Sequence, residues 1–342
     1  MATGPTIRDV AARAGTSTAV VSYVLNDGPR PVAPATRARV LAAVAELGYR
    51  RNNLARALRA NRTGTLGLVV PDLAKPFFAE LTRAIEDAAF ARGLRLLVGS
   101  AHFDADREDE QLRALLDARV DAAFLVPSQD PTSSITLLRR ARIPHALVHR
   151  THPDTVCIAG DDVSAGRQAA EHLLQHGHRY IALLGVGRAE DPVSLRSRGA
   201  SATLTEHDRP LPPWSMLTCP FPNLRDDAYR ATLDLLTTHP QITAICATTD
   251  EHAVGALRAA TEIGRRIGDD LALVSIDGTE LAAYLTPALT AVTAPFDTLG
   301  ADAVDTVLNP SGAGPTVRQH PLTLTVRRSC GCHATHDGHR KS

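Results

Sequence analysis

Lysine is nearly missing from this sequence: Lys75 and Lys341 are the only two, so arginine carries almost all of the positive charge. Long apolar runs are missing too. The longest are short stretches such as 66–71 and 181–186, far from the ~20 residues that cross a bilayer. No apolar segment follows the N-terminus, where Arg8 and Asp9 arrive at once; nothing there addresses the chain to secretion, and the expected location is the cytoplasm. The five cysteines, Cys157, Cys219, Cys246, Cys330 and Cys332, are odd in number and lie mostly in apolar segments, which fits reduced, inert thiols better than a disulfide framework.

Catalytic signatures are also wanting. No G-x-S-x-G elbow, Walker loop or H-E-x-x-H is present, so no enzyme and no cofactor are expected. Gly185-Val-Gly187 begins a dinucleotide-like pattern, but Glu190 stands at its third glycine and Pro192 follows. The adjacent acids Asp161-Asp162 and Asp269-Asp270 have neither a base partner nor metal spacing and read as turn or helix-start residues. The end of the chain offers Cys330, Cys332, His333, His336 and His339. These are competent zinc ligands, yet C-x-C-H is not a familiar structural spacing, and no metal is expected.

What is present is an ordinary globular composition, 44% apolar and 22% charged, with ample material for a core. Net charge is zero, 37 Lys+Arg against 37 Asp+Glu, but it is unevenly placed. Residues 1–63 hold ten arginines and only three acids (Asp9, Asp27, Glu46), a local charge of +7 that leaves −7 for the remainder. Such a split points to one end that meets a polyanion and a larger part with another task.

The basic end reads as short helices. Thr6-Ile-Arg-Asp9 matches a capping box, Ile7, Val10, Ala11 and Ala14 share one face, and Gly15 provides a stop. Ser17 is placed to cap a second helix with Val20, Val21, Val24 and Leu25 buried. After a proline-rich loop, Pro34 opens a third helix with Val40, Leu41, Val44 and Leu47 inward, ended by Gly48. This is an all-α helix-turn-helix pattern. With its valines inward, the second helix turns Thr18, Ala19, Ser22 and Tyr23 outward, side chains suited to base edges, phosphates or thymine methyls. A hairpin for protein contact is the alternative; the local +7 favours DNA. Asn52 to Arg59, NNLARALR, is too short for a stable helix in water; it is either a plain linker or a segment that folds against DNA, with Leu58 able to wedge into a minor groove.

From Thr65 the rhythm changes to apolar runs alternating with helical stretches. Strands are expected at 66–70, 94–98, 122–126, 145–148, 180–184, 242–246 and 271–276, and helices at 77–92, 106–118, 164–176, 223–236 and 251–263. Strands apolar throughout imply burial on both faces, hence parallel sheets covered by helices. There are too many units for one sheet, so the expected core is α/β and bilobed, two doubly wound lobes with a ligand cleft at the strand C-terminal ends.

Read in order, TIRDVAARAG, STAVVSYVLN, VAPATRARVLAAVAELGY, NNLARALR and TGTLGLVVPDLAKPFFAEL resemble the lactose/galactose repressor (LacI/GalR) family of bacterial transcription regulators. The series continues with GHRYIALLG at Gly177, LRSRGA at Leu195, TTDEHAVGAL at Thr248, LVSIDG at Leu273, TPALTAV at Thr286 and a terminal TLTVRRSCG. The resemblance spans roughly Thr6 to Cys332. It implies a homodimer on pseudo-palindromic operator DNA, a periplasmic-binding-protein-like core closing over a small effector of the carbohydrate class, and three crossings between lobes. The implied organisation is a DNA-binding domain at 1–50, hinge helix and linker at 51–64, a core at 65–330 (first lobe about 65–162 and 293–320, second about 163–292 and 321–330) and a flexible tail at 331–342. Operator contacts would come from Thr6, Ser17, Thr18, Ala19, Ser22, Tyr23, Asn26, Arg30, Asn52, Ala55, Leu58 and Arg59.

Several positions depart from the family pattern. Tyr23 replaces an arginine that reads guanine, Ala33 replaces a Ser or Thr cap before Pro34 at ~1 kcal/mol, and Arg51 replaces a proline. For the effector, DLAKPFF puts Asp72, Lys75, Phe77 and Phe78 at the mouth of the first lobe, with Lys75 where relatives have Asn. Lys75 either favours a phosphorylated or acidic ligand or pairs with Asp72. Arg196, Asp250 and Asp277 match polar ligand positions, and an arginine fork with two carboxylates suits a polyhydroxyl compound. Phe221 can stack on a sugar face; His102, His149, Arg150 and Asp161 are further candidates. The function so implied is an effector-responsive DNA-binding regulator, a repressor. The alternative is a solute-binding receptor built on the same bilobed core; the basic N-terminal region counts against it.

Overall fold

The computed structural model describes residues 5–26, 30–49, 62–187, 191–310 and 314–332. It divides into two units between Thr63 and Gly64. Among the described residues no helix is long and apolar enough to cross a membrane.

The first unit holds α1 (Ile7–Ala14), α2 (Thr18–Asn26) and α3 (Pro34–Glu46). The Asp9 carboxylate accepts from the Thr6 backbone N–H (2.7 Å) and hydroxyl (2.8 Å), which closes the expected capping box. Gly15 then adopts φ 60 and ends α1 in the left-handed region that favours glycine. Ser17 Oγ accepts from the Val20 N–H at 3.3 Å at the start of α2. Val10, Ala11, Ala14, Val21, Val24, Val40 and Ala43 make the core of this small bundle. Leu41 is a correction: it is 47% exposed, and Ala43 takes the inward place on α3. As expected from Ala33, no side chain caps α3.

The second unit is built on two six-stranded sheets. The first has the order β11-β5-β4-β3-β1-β2 and is parallel throughout; its strands are β1 (Thr65–Val70), β2 (Arg95–Ser100), β3 (Ala122–Leu125), β4 (His145–Val148), β5 (Cys157–Gly160) and β11 (Val317–His320). The second has the order β12-β10-β9-β8-β6-β7, with β6 (Ile181–Leu184), β7 (Met216–Leu217), β8 (Ala244–Ala247), β9 (Ala272–Asp277), β10 (Thr290–Thr293) and β12 (Thr323–Thr325). Only β12 runs antiparallel, against β10. The chain passes from the first sheet to the second after β5, returns after β10, and crosses again between β11 and β12.

Helices α4 (Pro76–Phe90), α5 (Ala105–Asp117), α6 (Thr132–Arg140) and α12 (Phe296–Leu308) serve the first lobe, where α12 packs on α4. Helices α7 (Asp162–Gln175), α8 (Pro192–Glu206), α9 (Leu224–Thr238), α10 (Asp250–Glu262) and the short α11 (Glu280–Tyr284) serve the second. The apolar character of β3, β8 and β9 matches their complete burial, and β1 is buried from Leu66 onward. Residues 326–332 do not begin a free tail: Leu273 and Ser329 exchange hydrogen bonds and Ser329 Oγ accepts from the Thr290 N–H, stitching the segment to β9 and β10.

Candidate ligand cleft and nucleic-acid interface

Strand C-terminal ends of both sheets converge on a cleft of about 630 Å³, a volume that includes the open solvent at its mouth. The first lobe lines it with Pro71, Lys75, Phe77, Phe78, Phe103, Val126, Pro127, Ser128, His149 and Arg150. The second contributes Asp191, Val193, Arg196, Phe221, Leu224, Thr249 and Asp277. Eight of the expected residues therefore line the cleft: Lys75, Phe77, Phe78, His149, Arg150, Arg196, Phe221 and Asp277.

Arg196 is the centre of the second wall. It is 2% exposed, its Nε donates to Asp162 Oδ1 (2.7 Å), and its Nη1 donates to Asp277 Oδ1 (2.6 Å) and the Thr248 carbonyl (2.8 Å). Burial opposes its charge, but Asp277 and Asp162 outweigh that and raise its pKa above the usual value. Burial pushes the Asp277 carboxyl up, to about 7, against the pull of Arg196. Helix packing fixes this pairing. A methyl group on Gly166 of α7 would sit 1.9 Å from the Arg196 carbonyl oxygen, and one on Gly199 of α8 would sit 2.1 Å from that of Val163. Only glycine lets the two helices approach so closely, which brings Asp162 at the start of α7 against Arg196 in α8.

Asp250, expected as a ligand acceptor, does not line the cleft. Its carboxylate accepts from Ser275 Oγ (2.6 Å) and from the Thr279 N–H and hydroxyl (both 2.7 Å), while its own N–H donates to Asp277 Oδ2. It shapes the loop that presents Asp277. Asp161 is likewise spent as the cap of α7, accepting from the Ser164 N–H. Asp72 accepts from the Ala74 N–H in a local turn, and His102 is outside the lining. Lys75 does not pair with Asp72: its Nζ reaches Glu251 (3.4 Å) and the Pro222 carbonyl (3.1 Å) across the cleft. Arg150 donates to the Gln129 carbonyl at 3.0 Å and steadies the loop after β3.

The first wall is aromatic. Phe77 packs edge-on to Phe78 and lies against His149 at 4.4 Å between ring centroids. Burial, with Arg196 and Arg150 nearby, holds His149 well below the usual imidazole pKa, so it is neutral. Phe103 stacks on Phe221 of the other lobe at 4.6 Å. Phe103 is the principal residue that sequence reading missed, because its place depends on φ 54 and 60 at His102 and Phe103. His149 (φ 75) and Asp277 (φ 126) are strained in the same way, each at the C-terminal end of its strand. Backbone strain of this kind concentrates at binding sites.

In the first unit, Thr18 and Ala19 are exposed at the start of α2, while Ser22 and Tyr23 are half-buried. Thr6 and Ser17 are exposed but engaged in caps, and Arg30 is exposed. Asn52, Ala55, Leu58 and Arg59, and the side chain of Asn26, lie outside the described residues.

Residues 6–52 match the family described as bacterial regulatory proteins, lacI family, and residues 63–328 match the periplasmic binding proteins and sugar binding domain of the LacI family. The chain belongs to the LacI family. The HTH-type transcriptional repressor PurR of Erwinia tasmaniensis is 33% identical over 95% of this chain and 96% of its own. The ribose operon repressor of Halalkalibacterium halodurans is 35% identical over 86% and 87%. Among solved structures, the lac repressor dimer bound to operator and the anti-inducer ONPF superposes with a TM-score of 0.82 at 27% identity, covering 96% of this chain and 99% of that one. The LacI-family headpiece and sugar-binding-type core both agree with the fold expected from the sequence.

Proposed function

We propose that this LacI-family chain is a sequence-specific DNA-binding repressor whose affinity for its operator is set by a sugar or related ring-shaped metabolite held between the two lobes. The observation that carries this reading is the cleft: Phe77, Phe78 and Phe103 on one wall face a buried arginine clamped by two carboxylates on the other. Aromatic faces bind the apolar faces of a ring, and the guanidinium and carboxylates bond hydroxyls that both donate and accept. An acidic or phosphorylated ligand is less well served, since Glu251 already meets the charge of Lys75. Lys75, Phe77, Phe78, Arg150, Arg196, Phe221 and Asp277 are the assigned effector residues. Thr18, Ala19, Ser22 and Tyr23 are the assigned base readers, with Leu58 of each subunit in the minor groove of a pseudo-palindrome, as in a homodimer.

Two experiments test this reading. A gel shift with a palindrome from the protein's own upstream region should show salt-sensitive binding, and a calorimetric screen of sugars, sugar phosphates and nucleosides should find a ligand that changes it. A chain that binds such a ligand but shifts no DNA is a solute receptor instead. Deleting residues 1–63 should abolish DNA binding and leave ligand binding intact.

A further inference from the structure

A second cluster of reactive side chains lies away from the cleft, where the stitched segment after β12 meets the last turn of α7. His172 of α7 faces Cys330 and Cys332, and one ligand atom from each lies within 4.8 Å of the others. Cys332 Sγ is 3.2 Å from His172 Nε2. His172 and Cys330 are buried, at 6% and 3% exposure, and Cys332 is partly so. The two cysteines alone are an unfamiliar C-x-C spacing; the histidine that completes the group stands 160 positions earlier, which the sequence could not reveal.

We propose that His172, Cys330 and Cys332 form a zinc site that pins the end of the chain to α7. Bonds of about 2.3 Å to sulfur and 2.0–2.1 Å to nitrogen place tetrahedral ligands roughly 3.3–3.8 Å apart, within the observed cluster. Two thiolates and an imidazole are soft to borderline donors that select zinc over magnesium or calcium. Binding forms two Zn–S bonds and one Zn–N bond and releases both thiol protons to solvent, leaving the imidazole neutral. The divalent ion and two thiolates then sum to zero charge, which keeps the burial of the group tolerable. The fourth position is left to water. At the other end of α7, Asp162 holds Arg196 in the cleft, so one helix carries both sites.

The test uses the full-length chain, purified reduced, stripped with a chelator and titrated with cobalt(II) as a spectroscopic probe and then with zinc(II). The expected result is one equivalent bound, a thiolate-to-cobalt charge-transfer absorption that zinc bleaches, and a higher melting temperature with zinc. Cys332→Ser and Cys330→Ser should remove the absorption, and His172→Gln should weaken binding in a chain that still melts cooperatively. Deleting residues 333–342 should change nothing. The proposal is overturned by any of four outcomes: no charge-transfer band, a band that survives both serine variants, binding lost with the tail, or a Cys330–Cys332 disulfide in the reduced preparation with no metal retained.

Discussion

The first lobe presents Phe77, Phe78, Phe103 and a neutral His149 to the cleft, whereas the second presents Arg196 between Asp162 and Asp277. The aromatic wall is made of groups that bury favourably without a charged partner. The charged wall is a network in which every member is tolerable only because the others are present. A ring compound lying between them would draw affinity from the first wall and orientation from the second. The same difference predicts that substitutions in the charged wall disturb a whole network, while in the aromatic wall Phe77 and Phe78, buried in the core, carry packing as well and half-buried Phe103 acts mainly on the ligand.

The sharpest way to break this contrast is Arg196→Ala. It strands the Asp162 and Asp277 carboxylates in a buried site and should cost about 3–5 kcal/mol of stability as well as ligand binding. Adding Asp277→Asn to it should recover part of that loss in thermal or urea unfolding. A melting curve for Arg196→Ala within error of the parent would show that the network is not coupled as described.

The next largest effect is a pH dependence from the second lobe. His252 is buried, with Nε2 against the Cys219 carbonyl and Nδ1 against the Thr248 and Thr249 hydroxyls. Burial depresses its pKa from 6.5 to about 4. Between those values the unfolded chain binds more protons than the folded one, so its contribution is complete above pH 6.5 and is lost as pH falls toward 4, by up to about 3 kcal/mol. Asp277, raised to about 7, acts in the opposite direction. The quantity to measure is therefore the difference between parent and His252→Gln. The variant should be less stable at neutral pH and should lose less stability on acidification; parallel stability curves would exclude His252 as a source of the acid sensitivity.

A smaller effect, confined to ligand affinity, comes from the Phe103–Phe221 stack. Each alanine variant should weaken effector binding measured by calorimetry. A double-mutant cycle should give a coupling of about 0.5–1.5 kcal/mol, since the rings face each other from different lobes. Additive losses would mean that the rings meet the ligand separately.

The helix-turn-helix was legible in the sequence because its signals are local: Thr6 with Asp9, Gly15 and Ser17 each act within a few residues. The long apolar strands β1 and β9 were legible for the same kind of reason. Strands β5, β7, β10, β11 and β12 were not anticipated: β7 and β12 have only two and three residues, and β11, VRQH, is a polar edge with no apolar run. In the cleft, motif matching found Arg196 and Asp277 but could not separate Asp277 from Asp250, one lining the site and the other consumed by Ser275 and Thr279. Nor could it find Phe103 or His172, since their partners, Phe221 and Cys332, are distant in sequence and are brought near only by the lobe closure and the final crossing.

Lys75 offers the finest comparison, because it belongs to the first lobe but behaves like the second. Its ammonium bonds Glu251 and the Pro222 carbonyl from across the cleft, yet Glu251 is also held by Arg225 at 2.8 Å through Nε. Lys75→Met therefore leaves no carboxylate unpaired and should cost only about 0.5–1 kcal/mol of stability. What it removes is a latch that holds the lobes together. If that latch contributes to closure, effector affinity should fall several-fold with little change in melting temperature, and the fall should be smaller at high salt, where the parent's pair is already screened. Unchanged affinity would place closure on the phenylalanine stack alone. Tighter binding of anionic sugars by Lys75→Met would exclude any role for the ammonium as an anion anchor.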